Sequence, residues 1–82
     1  MNGKYEPLRD WLGSQTDPFV TLTFEQVEAI IRAPLPRSAH VHEAWWGNND
    51  DRHVQARAWL DAGLRNTDLD LERRLVAFER TS

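Results

Sequence analysis

The residues best able to do chemistry in this chain lie close together: His40-x-His42-Glu43, then His53 after a polar loop. Imidazole and carboxylate are ordinary zinc ligands. Their spacing argues against a shared ion. Residues two apart on a helix project to different sides, so only an extended His40–His42 segment would bring both rings to one metal. A helical His42 would instead reach Trp46 one turn on. Asn48-Asn49-Asp50-Asp51 resembles a calcium loop but lacks the alternating ligands, central glycine and closing glutamate that such a loop needs. It reads as a turn followed by a helix cap. The chain has no cysteine, no Gly-x-Ser-x-Gly and no phosphate-binding glycine loop, and its only lysine is Lys4. The expectation is a non-enzyme: no catalytic residues, no metal and no cofactor.

Arginine and tryptophan remain. Ten basic residues, nine of them arginine, face thirteen acidic ones, for a net charge of −3. That balance counts against a general nucleic-acid coat, whose affinity comes from neutralising phosphates. It leaves room for a local arginine face. Arg37 precedes one predicted helix, Arg52 and Arg57 ride the next, and Arg73-Arg74 fall at a predicted hairpin tip. Arginine suits bidentate contacts to phosphate or guanine. The plainer alternative is solvated arginine paired with Asp50, Asp51, Asp61 or Glu72, each pair contributing little.

Trp11 and Trp59 fall on apolar helix faces and are expected in the core. Trp45 and Trp46 are adjacent and cannot both point the same way from one helix. One is expected buried against Trp59 and Leu60. The other is expected open at the loop beside Asn48, where it could meet a base, a ligand or a partner protein.

The elements that must position these groups can be read in order. Tyr5, Leu8, Trp11 and Leu12 recur at helical spacing, with Pro7 tolerated in a first turn, so a helix runs from about Tyr5 to Gly13. Phe19-Val20-Thr21-Leu22 reads as a short strand after the Asp17-Pro18 turn. Thr23 with Gln26 forms a capping-box pattern opening a helix from Phe24 to Arg32, which Pro34 and Pro36 stop. Ser38 caps a third helix reaching about Trp46. Asp50 or Asp51 caps a fourth, about Arg52 to Ala62, with Gly63 as its C′ residue. Leu69 and Leu71, then Val76 and Phe78, alternate as a C-terminal hairpin around Glu72-Arg73-Arg74. The order α-β-α-α-α-β-β makes one α+β domain over residues 1–82. It matches a small winged-helix-like module, with the first strand completing a sheet beside the hairpin.

Several short motifs belong together: Tyr5-x-Pro7-Leu8, Leu22-Thr23-Phe24, Leu35-Pro36-x-Ser38-Ala39, Trp45-Trp46-x-Asn48, Ala56-x-Ala58-Trp59-Leu60-x-Ala62-Gly63 and Val76-x-Phe78-x-Arg80. The set resembles an uncharacterised family of small bacterial and phage domains, also found attached to restriction-type nucleases. The resemblance spans nearly the whole chain. It implies nucleic-acid recognition or a part in phage–host conflict, and it carries over no functional residue. Leu64 stands where that family commonly has tryptophan, and Asn66 where it has an aliphatic residue. Both departures fall on the first strand of the hairpin.

Two functional expectations follow. In the first, the domain recognises DNA, with Arg52, His53, Gln55 and Arg57 on the reading side and Arg73 and Arg74 on phosphates. In the second, a small acidic protein docks on a partner protein through Trp45, Trp46 and Asn48. A pocket between the tryptophans for a ligand or modified base ranks below both. The first residues lack the apolar core of a signal peptide, and no run approaches the roughly 18 apolar residues of a membrane helix. A cytoplasmic protein is expected.

Overall fold

The computed structural model describes residues 3–49 and 54–81. Helix α1, Glu6–Gly13, starts with proline in its first turn and buries Leu8 and Leu12, four residues apart on one face. Trp11 is only half-buried and packs on the edge of the core. Strand β1, Phe19–Thr23, alternates as a half-covered strand should, with Val20 and Leu22 inward. The capping box closes on both arms. The Gln26 N–H donates to Thr23 Oγ1 at 3.0 Å, and the Thr23 N–H donates to Gln26 Oε1 at 2.8 Å. Helix α2 then spans Phe24–Ile31 and ends at Arg32, which takes the left-handed conformation with φ 58°. The expected span ran one residue further.

The third helix departs more from expectation. Instead of one helix to Trp46, α3 covers only Arg37–Val41; His42 is extended (φ −117°, ψ 118°), and a separate 3-10 turn covers Glu43–Trp46. The break has a packing reason. A continuous helix would aim Trp45 and Trp46 about 100° apart, leaving one outside. The kink at His42 redirects the chain so that both rings are covered.

Helix α4 is also shorter than expected, Ala56–Asp61. The residues before it form a tighter turn, in which Arg57 N donates to Val54 O and Ala58 N to Gln55 O. The proposed cap at Asp50 or Asp51 lies outside the described residues. Gly63 follows with φ 84°, the left-handed value that favours glycine after a helix. Strand β2, Leu64–Asp70, and strand β3, Leu75–Arg80, form the C-terminal hairpin. Its turn uses no Asn-Gly pair. Arg74 supplies the left-handed residue with φ 58°, and Asp70 Oδ1 accepts from the Arg73 N–H at 2.9 Å.

The sheet order is β1-β3-β2, with both neighbouring pairs antiparallel. Val20, Leu22, Val76 and Phe78 point to the helices, while Phe19 and Thr21 point away. The α+β class, the element order and the C-terminal hairpin agree with the sequence. At the centre, Trp46 lies between two aromatic rings: Phe24 at 4.8 Å (24° between planes) and Trp59 at 6.0 Å (21°). Trp59 continues the series onto Phe78 at 5.3 Å. Because Trp46 is fully buried and stacks on rings from both α2 and α4, Trp46→Ala is expected to cost about 3–5 kcal/mol. Urea unfolding measures it; a loss below about 1 kcal/mol would mean that the stack is incidental.

Candidate interaction surfaces

The Trp45–Asn48 block is a structural joint. Trp45 retains 9% exposure and Trp46 1%, so neither ring is open at the loop. This corrects the expectation that one of them would be a contact residue. Trp45 is covered by Tyr5 of α1, edge-on at 5.9 Å, and by Trp46 at 4.7 Å. The Trp46 indole N–H donates to Ala39 O at 2.8 Å, giving the buried ring the partner it needs. With Trp46 and Trp59 nearly parallel and 6.0 Å apart, no slot for a base lies between them. The pocket expected between the tryptophans is filled by the tryptophans themselves.

Asn48 is likewise occupied. Its Oδ1 accepts from the Trp59 indole N–H (3.1 Å) and from the Asn66 backbone N–H (2.8 Å), while its Nδ2 donates to Asn66 O (3.0 Å). The side-chain amide therefore pairs with β2 as one residue of a neighbouring strand would. Asn66 reciprocates, its Nδ2 donating to Trp46 O at 2.9 Å. Here lies the reason for a polar residue where an aliphatic one was expected. An amide at this position ties the tryptophan turn to the strand.

The residues expected to face DNA do not form one face among those described. Gln55 is 5% exposed, and its Nε2 donates to Trp45 O at 2.8 Å, so it is a packing residue. Arg57 is exposed and paired with Asp61 one turn on, at 3.7 Å. Arg52 and His53 lie outside the described residues. Arg73 and Arg74 are exposed at the hairpin tip, Arg73 within 3.9 Å of Asp70. Helix α4 joins the hairpin at its base, before Leu64. A seven-residue strand separates that base from the tip, about 20 Å at strand rise. His40 packs its ring on Phe24 at 5.4 Å, and His42 is exposed. Among the described residues no group of histidine and acidic side chains could hold a metal ion, and no helix is long and apolar enough to cross a membrane.

A groove of about 670 Å³ lies elsewhere, between α1 and α4. Tyr5, Val54 and Ala58 give it an apolar surface, and Lys4, Glu6, Arg9, Arg57 and Asp61 line it with charge. Val54 is 71% exposed. Arg9 is held by Glu6 at 3.3 Å and by Asp10 at 3.2 Å. Lys4 has no acidic partner among the described residues, and its Nζ lies 5.7 Å from the centre of the Tyr5 ring. Burial pushes the Tyr5 hydroxyl above its usual pKa. Helical periodicity had assigned Tyr5 to the apolar side of α1 and left Lys4 and Val54 without a role. Their convergence depends on how α1 packs against α4, which neither segment encodes alone. Val54 did carry one signal: an apolar residue off the Ala56–Trp59–Leu60 face.

The fold and its surfaces thus describe a small α+β domain closed by an aromatic core, with an open groove between α1 and α4. The chain belongs to a family described as a domain of unknown function (DUF7662), which matches residues 5–82. No curated protein and no solved structure matches it.

Asn48→Ala leaves the Trp59 indole N–H without its partner and opens the edge of β2, so it is expected to destabilise by about 1–3 kcal/mol. A change under about 0.5 kcal/mol in urea unfolding would make Asn48 an ordinary loop residue. Tyr5 is the only tyrosine, so phenolate absorbance reports on it alone. Its raised pKa favours the neutral phenol in the folded state. The associated stability is intact below the ordinary phenol pKa of about 10 and is lost as pH rises through the folded value. Stability should therefore fall in alkaline solution, and Tyr5→Phe should reduce that fall.

Proposed function

We propose that this domain is a non-catalytic interaction module that docks a partner protein in the α1–α4 groove. The observation that carries this reading is the combination of an exposed Val54 with a lining lysine, Lys4, that has no acidic partner among the described residues. Exposed apolar surface ringed by polar groups is the usual mark of a recognition site. Lys4, Arg9 and Arg57 outnumber Glu6 and Asp61 there. The fitting partner segment offers an apolar side chain for Val54 and Tyr5 and a carboxylate for Lys4. A cytoplasmic setting suits a chain without cysteine.

DNA recognition is the second reading, favoured by the exposed Arg73 and Arg74 at the hairpin tip. With Gln55 buried and α4 only six residues long, direct reading of base edges by α4 has little left to use. Contact with phosphates is the form it would take.

A photo-crosslinking residue at position 54 should capture a discrete protein adduct in host lysate, and the same residue at position 73 should not. Val54→Glu and Lys4→Glu should each abolish binding of the captured protein while leaving thermal unfolding unchanged. Equal capture at both positions would sink the groove. A low-salt gel shift that weakens steeply with salt, and is lost in an Arg73→Ala/Arg74→Ala variant, would favour DNA instead.

A further inference from the structure

The two edges of the sheet are treated differently, and the difference points to a partner. On β2, the outward N–H and C=O of Asn66 are taken by the Asn48 side chain, and the register breaks between Asn66 and Asp68. Exposed Arg65 and Asp68 add charge along that strand. Amide capping, a bulge and charge all discourage pairing with another strand.

Strand β1 has no bulge and no charge, and a side-chain amide meets it only at its last residue, Thr23. The hydrogen bonds at its two ends fix which groups face which way. Arg80 N donates to Pro18 O at 2.8 Å, and Phe24 N donates to Arg74 O at 2.9 Å. In an antiparallel ladder the bonded pairs alternate, so Val20 and Leu22 bond to β3 while Phe19, Thr21 and Thr23 turn their backbone groups outward. Gln26 Oε1 takes the Thr23 N–H, and before the strand the Asp17 carbonyl accepts from the Arg80 guanidinium. What is left open is the N–H and C=O of Phe19 and of Thr21. Phe-Val-Thr-Leu-Thr holds no charge and no proline, the pairing with β3 has no bulge, and the Phe19 ring is 63% exposed.

This open set is self-complementary. A two-fold axis through Val20 sets Phe19 opposite Thr21 of a second copy and Thr21 opposite its Phe19. Each residue then exchanges both backbone bonds with its opposite, and no outward donor or acceptor on the strand is left over. The same register places an aromatic ring beside a β-branched residue, a favourable cross-strand pair. It sets Asp17 opposite Thr23, so the like charges of the two Asp17 side chains do not meet. We propose that a second copy of this chain pairs antiparallel along β1, joining two three-stranded sheets into one of six strands. A disordered peptide is the poorer occupant. Ordering it costs backbone entropy at every residue, which the modest net return of a hydrogen bond does not offset. A second folded copy brings its strand already ordered.

The contact is short, so the dimer is weak and depends on concentration. Sedimentation velocity over a range up to about 1 mM, the affinity scale of weak contacts, should show the mass rising toward twice that of one chain. Hydrogen exchange should slow at the Phe19 and Thr21 amides with concentration, while the Gln26 amide is unchanged. Thr21→Pro removes only an outward N–H, at a position where an edge strand tolerates proline, and should give a monomer throughout. Phe19→Lys should do the same through an exposed side chain and covers the case in which Thr21→Pro fails to fold. Val54→Glu, which tests the groove, should leave the dimer intact, so the two proposals fail separately. A wild type that stays monomeric up to about 1 mM, or a dimer that survives Phe19→Lys, overturns the proposal.

Discussion

Two adjacent tryptophans have to be buried at once, and much of the structure follows from that demand. An α-helix aims neighbouring side chains about 100° apart, which leaves little room for two adjacent indoles in one core. The chain breaks its helix at His42 and passes through a 3-10 turn that packs beside β2. Trp46 then enters the core between Phe24 and Trp59, and Trp45 is covered from the other side by Tyr5. The turn has few backbone bonds of its own, so its orientation is fixed by side-chain amides: Gln55 on Trp45 O, Asn66 on Trp46 O, Asn48 on β2. Such bonds contribute about 1 kcal/mol each, less than burying either indole. Their larger effect is to select one geometry among the ways a greasy turn could collapse.

This explains which parts of the molecule were legible in the sequence. Helix α2 was readable because its determinants are local: Thr23 and Gln26 are three residues apart, and the apolar face repeats within one helix. The hairpin's second strand was readable from the alternation of Val76 and Phe78, but its first strand runs Leu64–Asp70, so Leu71 lies in a turn where Arg74 supplies the left-handed residue. The Asn48–Asn66 contact spans eighteen residues and joins a side chain to a backbone. No periodicity reports such a bond. Gln55 was placed on a solvent face because period alone cannot distinguish an exposed amide from a buried one that has found a carbonyl. Reading Trp45-Trp46 as part of a single helix forced one ring outward. Relaxing the helix, rather than exposing an indole, was the cheaper solution for the fold.

Once these polar groups are assigned to structure, the charges look different. A stripe of arginine along one helix would have supported nucleic-acid contact; instead, the described arginines are spread among α1, the ends of α2 and α3, α4 and the hairpin. Several are already neutralised locally, Arg9 by Glu6 and Asp10, Arg57 by Asp61. Exposed pairs of this kind add little stability, but they reduce the field available to steer a polyanion. Arg80 has a different task. It reaches back to the carbonyls of Gln15 and Asp17 and holds the segment leading into β1.

That segment matters because it sets where β1 begins. The Asp17 carbonyl is taken by the Arg80 guanidinium, and Thr23 surrenders its outward N–H to the capping box. The same residues that start α2 and anchor the α1–β1 connection therefore also trim the free edge of β1 to Phe19 and Thr21. On the far side of the sheet, Asn48 closes β2 while it orients Trp59. Neither edge is shaped by a residue devoted to that purpose. In a domain of 82 residues, where the core sits near the lower limit for stability, the side chains that hold the fold together also determine which backbone remains open to a partner.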